Sequence, residues 1–350
     1  MRSRVRSLVI LAVTVGLLAY FFRNSNLSGV WHETRRADPL YLLLAVGITL
    51  LTYVLRAWRW QSLLAPIGPT RFTTAFRTTV IGFAASFFLP ARAGEVIRPY
   101  LLAKREGLKP TAAFATIILE RLLDTATVLI LFGIFVLTVP TGVISGDAEQ
   151  FQHVKFWGSL AAAAAVAGLG VLFALAGHPE RLGRAAGRVE RVLPARAAQI
   201  LAQFVESFAQ GLAVMRHPGK LVVALVMSFP LWLSIATGIW LTSQAFHITF
   251  PFTGSFLVMT LLVVGVAMPT PGAIGGFHVA YQLSVETFFA APADAAAGAA
   301  IVLHAISFVP VTILGIIFMA REGLTFTGVQ KMAQTGPPDA VRPEPGVLPR

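Results

Sequence analysis

The sequence predicts an all-α polytopic membrane protein with about six spanning helices and two oppositely oriented re-entrant hairpins, arranged as an inverted repeat. Three observations lead there. The chain of 350 residues is 56% hydrophobic and only 13% charged, with mean hydropathy +0.73, whereas soluble domains carry about 25% charged residues. Arg and Lys gather in short stretches between long apolar runs, as they do in cytoplasmic loops. Two apolar regions are broken alike, with Gly94 four residues after Pro90 and Gly275 four residues after Pro271. In this setting the net charge of +12 points to anionic headgroups rather than to nucleic acid. The chain has no cysteine, which removes disulfides, thiolate nucleophiles and Cys-based metal sites.

In chain order, the basic Met1–Ser7 precedes an apolar run, Leu8–Phe22, that lacks a small-residue cleavage site. It reads as an uncleaved helix with its N-terminus in the cytoplasm. Leu40–Leu55 returns and closes at Arg56 and Arg59, with Trp58 and Trp60 as interface anchors. Thr78–Leu89 is the next charge-free piece, and its dozen residues rise only ~18 Å, about half a bilayer. Val96–Ala103 is shorter still and ends in Lys104, Arg105 and Lys109, so a hairpin entering and leaving on the cytoplasmic side fits. Two tightly packed full spans are the alternative. Thr111–Val139 crosses outward to an external loop, Gly146–Gln150, and Phe156–Ala176 returns.

Residues 181–216 form a cytoplasmic linker. Its first part, Arg181–Arg196, is strongly basic, and Ile200, Phe204, Phe208 and Leu212 then recur at helical spacing. That amphipathic helix lies on the membrane surface or against the protein's own helices. Leu221–Phe246 crosses outward. Pro251–Met268 and Gly276–Ala290 flank the second break, with no Lys or Arg between Lys220 and Arg321, so this hairpin enters from outside. Ala293–Ala320 crosses back, and 322–350 is a Pro-rich cytoplasmic tail expected to be disordered. The repeats are 40–139 and 221–320 within one membrane domain, 1–321. Inverted repeats whose broken helices meet near the midplane are a transporter architecture.

Charge inside such a chain marks the site, because a charge at bilayer centre costs roughly 2.5–3.5 kcal/mol on insertion scales. Arg92, Glu95 and Arg98 fall in the first break, and Glu120, Arg121 and Asp124 fall inside the crossing segment Thr111–Val139. At 1.5 Å per residue Glu120 lies ~13 Å in, with Asp124 one turn deeper on the same face. These groups pair either as a structural network that staples hairpin to helix or as part of a ligand site; the two readings are compatible. Arginine is the planar, bidentate partner of phosphate, and helix ends broken at Gly94 expose N–H donors to an anion. The ligand expected from the residues is therefore a phosphate-bearing headgroup. Glu95 and Glu120 then balance the arginines or meet a cationic part of the headgroup. In the second break Pro271, Gly272, Gly275 and Gly276 are the counterpart, followed by His278, a packing residue or a site residue. No His/Asp/Glu cluster has metal spacing, and no nucleotide loop follows the glycines, so neither metal nor cofactor is expected.

The stretches Leu89–Leu102 (LPARAGEVIRPYLL), Leu119–Thr125 (LERLLDT) and Pro269–Phe277 (PTPGAIGGF), in this order, resemble the lysylphosphatidylglycerol synthase transmembrane region, or flippase-like domain family. The resemblance covers about Leu8–Arg321. It implies a lipid-handling membrane protein, associated with moving aminoacylated phospholipids or related lipids between leaflets, with Gly94, Glu95, Arg98, Glu120, Arg121 and Asp124 at the motif positions. Two departures stand out. The position after the glycine-rich motif is usually acidic in the family and is His278 here. The full synthases also carry an aminoacyl-transferase domain after the membrane region, and the tail after Arg321 is too short for one, so lysyl transfer is not expected.

The resulting expectation is a translocator or binder of a phosphate-bearing lipid (anionic or aminoacylated phospholipid, or polyprenyl phosphate) and not an enzyme. It sits in a prokaryotic-type inner cell membrane with both termini cytoplasmic, as a homo-oligomer or beside a lipid-synthesising enzyme. One alternative is an intramembrane polyprenyl-diphosphate phosphatase, although Thr270 is the only hydroxyl in either broken motif. Another is a non-transporting membrane partner of a lipid or glycan enzyme, docked through Arg181–Arg196.

Overall fold

The computed structural model describes residues 2–23, 25–89, 93–138, 152–154, 156–160, 163, 164, 167, 218–268, 270–325 and 328. Among them all regular structure is helical: α1 (Arg2–Phe22), α2 (Leu27–Arg36), α3 (Pro39–Leu64), α4 (Phe72–Phe88), α5 (Gly94–Glu106), α6 (Pro110–Thr138), α7 (Pro218–Ala245), α8 (Gly254–Ala267), a 3-10 turn (Pro271–Ala273), α9 (Gly276–Phe289) and α10 (Ala293–Arg321).

Four of these, α3, α6, α7 and α10, are long and apolar enough to cross a membrane. The bent pair α1 and α2, which meet at 75°, would make a fifth. Among the described residues the protein is thus all-helical, with four or five candidate spans. The expected sixth, Phe156–Ala176, lies mostly outside the described residues, as do the loop at 147–150, the linker 181–216 and the tail 329–350. Neither α4, α5, α8 nor α9 exceeds 17 residues, so each rises about 20–25 Å, short of the ~30 Å hydrocarbon core.

Local chemistry sets these boundaries. Pro39 opens α3 behind Asp38, whose carboxylate accepts the Leu40 N–H at 2.8 Å, a side-chain N-cap. Asn26 caps the unanticipated helix α2 in the same way. Gly107 in the left-handed conformation (φ 68°) closes α5, and Pro110 opens α6.

Helix α3 corrects the sequence reading at its end. It runs on to Leu64, so Arg56, Arg59 and Trp60 are interior rather than interfacial: all three are buried, and only Trp58 is exposed.

One packing scheme occurs twice. Within the first half α3 packs on α4, α4 on α5, α5 on α6 and α3 on α6; the same contacts join α7 to α8, α8 to α9, α9 to α10 and α7 to α10. Between halves, α4–α10 matches α6–α8, and α3–α10 matches α6–α7. The most extensive packing, α3 on α7, is its own counterpart and includes a Thr52–Ser234 hydroxyl hydrogen bond of 2.7 Å.

Each short-helix pair crosses at glycines. A Cβ on Gly94 would fall on the Gly82 carbonyl, and one on Gly276 on the Gly265 carbonyl. Small residues let helix backbones approach closely where lipid supplies no hydrophobic drive. The second break turns through positive φ at Gly272 (59°) and Gly275 (88°), conformations that glycine adopts at little cost.

Candidate functional site

Four helices converge on one buried ionic cluster. From α3 come Arg56 and Arg59, from α5 Arg98, and from α6 Glu120, Arg121 and Asp124. The i, i+3 spacing of Arg56 and Arg59, and the i, i+4 spacing of Glu120 and Asp124, put each pair on one helix face. Helix α7 completes the cluster with Ser228 and Trp232. Arg59, fully buried, donates from Nη1 to Asp124 Oδ1 at 2.6 Å and to Ser228 Oγ at 2.8 Å. Trp232 Nε1 donates to the same Asp124 oxygen at 2.8 Å. Arg98 Nη1 donates to Glu120 Oε1 at 3.0 Å, and its guanidinium lies over the Trp60 ring, 3.8 Å from the centroid. Glu120 Oε1 also faces Arg121 at 3.3 Å, Arg59 at 3.4 Å and Arg56 at 3.6 Å.

Beside the cluster is a cavity of about 310 Å³. Both breaks line it: Gly82, Ser86, Phe87, Gly94, Glu95 and Arg98 from α4 and α5, Thr270 and Gly272 from the second break. Arg121 of α6, Met268, and Phe308 of α10 also line it. Among the described lining residues Arg98 is the deeply buried charge, at 3% exposure, and its Nε and Nη2 atoms are buried without a hydrogen-bond partner. Arg121 and Glu95, 3.9 Å apart, have side chains 36% exposed. Such a cavity can seat an anion against the edge of Arg98, with the first turn of α5 presenting its N-terminal dipole to the same space. Among the described residues no group of three or more His, Asp or Glu has the arrangement of a metal site.

The family model for the lysylphosphatidylglycerol synthase transmembrane region matches residues 7–315. The chain belongs to that family. It is 25% identical over 295 residues to a UPF0104 membrane protein of Methanocaldococcus jannaschii, covering 81% of this chain and 84% of the relative. A UPF0104 membrane protein of Methanothermobacter thermautotrophicus is 32% identical over 97 residues, 26% of this chain and 28% of that protein. Glycosyltransferase AglD of Haloferax volcanii is 26% identical over 132 residues, 37% of this chain but only 20% of that larger protein.

In this lysylphosphatidylglycerol synthase-type membrane domain the candidate residues separate into three sets. Gly94, Glu95, Arg98, Arg121 and Gly272 line the cavity. Glu120 and Asp124 sit behind it in the ionic cluster, where Glu120 takes Arg98 while the closest partner of Asp124 is Arg59. Pro271, Gly275, Gly276 and His278 serve the second break itself. Pro271 opens its 3-10 turn, Gly275 abuts Leu17 of α1 and Gly276 abuts Gly265. The His278 ring lies 4.7 Å from that of His304, whose Nε2 is 2.8 Å from the Gly272 carbonyl oxygen, so both imidazoles brace the turn. Arg92 lies outside the described residues.

Sequence reasoning missed Arg56, Arg59, Ser86, Ser228 and Trp232. A usable signal existed for the arginines, since Ala57, Trp60, Leu63 and Leu64 continue the buried face of α3 beyond them. The shared Glu120 oxygen makes a quantitative prediction. In a double-mutant cycle Arg98→Ala and Glu120→Gln should couple by more than ~1 kcal/mol, as contacting residues do. Arg98→Ala with Asp124→Asn should be nearer to additive. Thermal unfolding in detergent measures both, and equal coupling for the two pairs would contradict the geometry.

Proposed function

We propose that the chain carries a phosphate-bearing lipid between leaflets, seating its headgroup in the cavity between the two breaks, with no catalytic residue involved. The observation that carries this reading is Arg98, a buried arginine lining the cavity with one whole edge of its guanidinium unpartnered. An arginine edge matches two phosphate oxygens, and leaving such donors dry costs free energy that a ligand recovers. The repeated packing scheme supports an inverted repeat, residues 40–139 and 221–320, with α4–α5 and α8–α9 as re-entrant hairpins from opposite faces. Alternating access is then the rocking of one half against the other. The lipid handling implied by the family name agrees. The partial match to a protein named as a glycosyltransferase favours a second reading, in which the domain is the membrane partner of a lipid- or glycan-modifying enzyme and moves nothing itself.

Reconstitution in vesicles with labelled phospholipids and polyprenyl phosphates separates the two. We expect leaflet exchange of a phosphate-bearing lipid above that of protein-free vesicles, and a drop of roughly tenfold in a folded Arg98→Ala variant, the change that 1.4 kcal/mol produces. Exchange no faster than in protein-free vesicles favours the partner reading. The orientation follows from the charges: with both termini cytoplasmic, a cysteine replacing Lys109 should react with an impermeant reagent only from the cytoplasmic side, and one replacing Ala291 only from outside. Labelling of position 109 from outside would remove the inner hairpin.

A further inference from the structure

We infer that α2 is an in-plane membrane helix that seats Leu27 and Trp31 in the bilayer and holds anionic lipid headgroups through Arg35 and Arg36. This surface is separate from the cavity and does not depend on what the cavity carries. Helix α2 leaves α1 at 75° and lies at the end of the bundle where three candidate spans start or stop. The Asp38 N–H, just after α2, donates at 2.9 Å to the carbonyl of Ala245, the last residue of α7. The Asn26 N–H, just before α2, donates at 2.8 Å to Asp294 in the first turn of α10, and α3 begins at Pro39. A helix at this level, steeply inclined to a span, lies at the boundary between hydrocarbon and headgroups. In the orientation proposed above, that boundary belongs to the outer leaflet.

At 3.6 residues per turn the side chains of α2 divide into three sides. Val30 and the capping Ala37 are buried where α2 packs on α10. Next round the axis come Leu27 and Trp31, one turn apart and 69% and 59% exposed. Arg35 follows, and then Ser28, His32 and Arg36, all exposed. This order, from protein through apolar side chains and cations to polar groups, is what a helix at an anionic lipid surface needs. An indole favours the same level. The Arg35 guanidinium lies over the Trp31 ring, 4.9 Å from its centroid. Stacking engages the face of the guanidinium and leaves the donors in its plane for phosphate oxygens. A second copy of the chain fits this face less well, because a two-fold contact would set Arg35 and Arg36 against their own counterparts.

The test uses the full-length protein in nanodiscs of phosphatidylcholine and phosphatidylglycerol, and the absence of cysteine permits single labels. Nitroxides on Leu27→Cys, His32→Cys and Arg36→Cys should divide. The label at position 27 should be relaxed more by oxygen than by a water-soluble nickel chelate, and those at 32 and 36 the reverse. A label at 27 that meets the chelate freely refutes insertion. One shielded from both reagents overturns the lipid assignment in favour of a second copy covering the face. For the headgroups, a bimane on Leu27→Cys should be quenched roughly threefold or more efficiently by doxyl-labelled phosphatidylglycerol than by doxyl-labelled phosphatidylcholine at equal mole fraction. Replacing both arginines, Arg35→Gln with Arg36→Gln, should bring that ratio close to one, and Arg36→Gln alone should give an intermediate value. Salt at about 1 M, where the Debye length is ~3 Å, should also remove the preference. Equal quenching by the two lipids at low salt refutes the anionic-headgroup assignment. A ratio unchanged by the arginine substitutions removes Arg35 and Arg36 from it. The single variant and the salt comparison decide the matter even if the double variant fails to fold.

Discussion

Replacing Asp124 with leucine should cost the fold about 3–5 kcal/mol, the usual result of removing one partner from a buried charge pair. The cluster explains why this carboxylate matters more than any single arginine near it. Arg56, Arg59, Arg98 and Arg121 all lie within 4 Å of Glu120 or Asp124. Loss of Asp124 leaves all four facing Glu120 and leaves Trp232 Nε1 without its acceptor. Loss of Arg59 instead leaves Asp124 with Arg121 at 3.6 Å, Arg56 at 3.8 Å and the indole. Arg59→Met should therefore cost less than half as much. The double variant Arg59→Met/Asp124→Leu should recover most of the stability lost by Asp124→Leu alone, because apolar replacement of a whole buried pair is often close to neutral. Thermal unfolding of the purified variants in detergent gives the ranking. An Arg59→Met variant less stable than Asp124→Leu would show that the positive charges are not in excess.

A methyl group at Gly94 is the second severe change. The new Cβ would land on the Gly82 backbone carbonyl and close to Ser86 Oγ, and a backbone carbonyl inside a helix cannot rotate away as a side chain can. Overpacking typically costs 1–3 kcal/mol and occasionally more, so Gly94→Ala should reach about 3 kcal/mol or above and force α5 away from α4. Gly276→Ala should do the same to α8 and α9 through the Gly265 carbonyl. Gly133→Ala is the control. Its Cβ would meet nothing within 4 Å, and alanine in a helix interior is favoured over glycine by up to about 1 kcal/mol. Yields of monodisperse protein and unfolding temperatures for the three variants would test the contrast. Full tolerance of Gly94→Ala would mean that the crossing is looser than it looks here.

The membrane class, the two breaks and the acidic helix were legible in the sequence because each rests on local facts. Apolar runs and their lengths identify α3, α6, α7 and α10 with no knowledge of partners, and closely spaced Pro and Gly between two short apolar runs mark a break. That Glu120 and Asp124 share one face well inside the helix follows from helical spacing alone. Other features depended on partners distant in sequence. Arg56 and Arg59 looked like the end of a span, since a positive charge beside Trp58 and Trp60 is what an interface offers. They are interior because α6 and α7, 60 to 170 positions away along the chain, bring Asp124, Glu120 and Ser228 to them. The short helix α2 is ten residues long, polar overall and ends in Arg35 and Arg36, too short and polar to stand out beside the apolar runs, and Asp294 of α10 holds its start by accepting the Asn26 N–H. Likewise the Pro-x-x-x-Gly match paired Gly94 with Gly275, whereas the glycine that makes the equivalent backbone crossing is Gly276. By itself, then, the sequence determined where charge enters the apolar interior and where the helices break. Only the tertiary structure decided which arginine meets which carboxylate, and which donor edge of Arg98 is left without a partner, because the energy of a buried charge is a property of its neighbours in space.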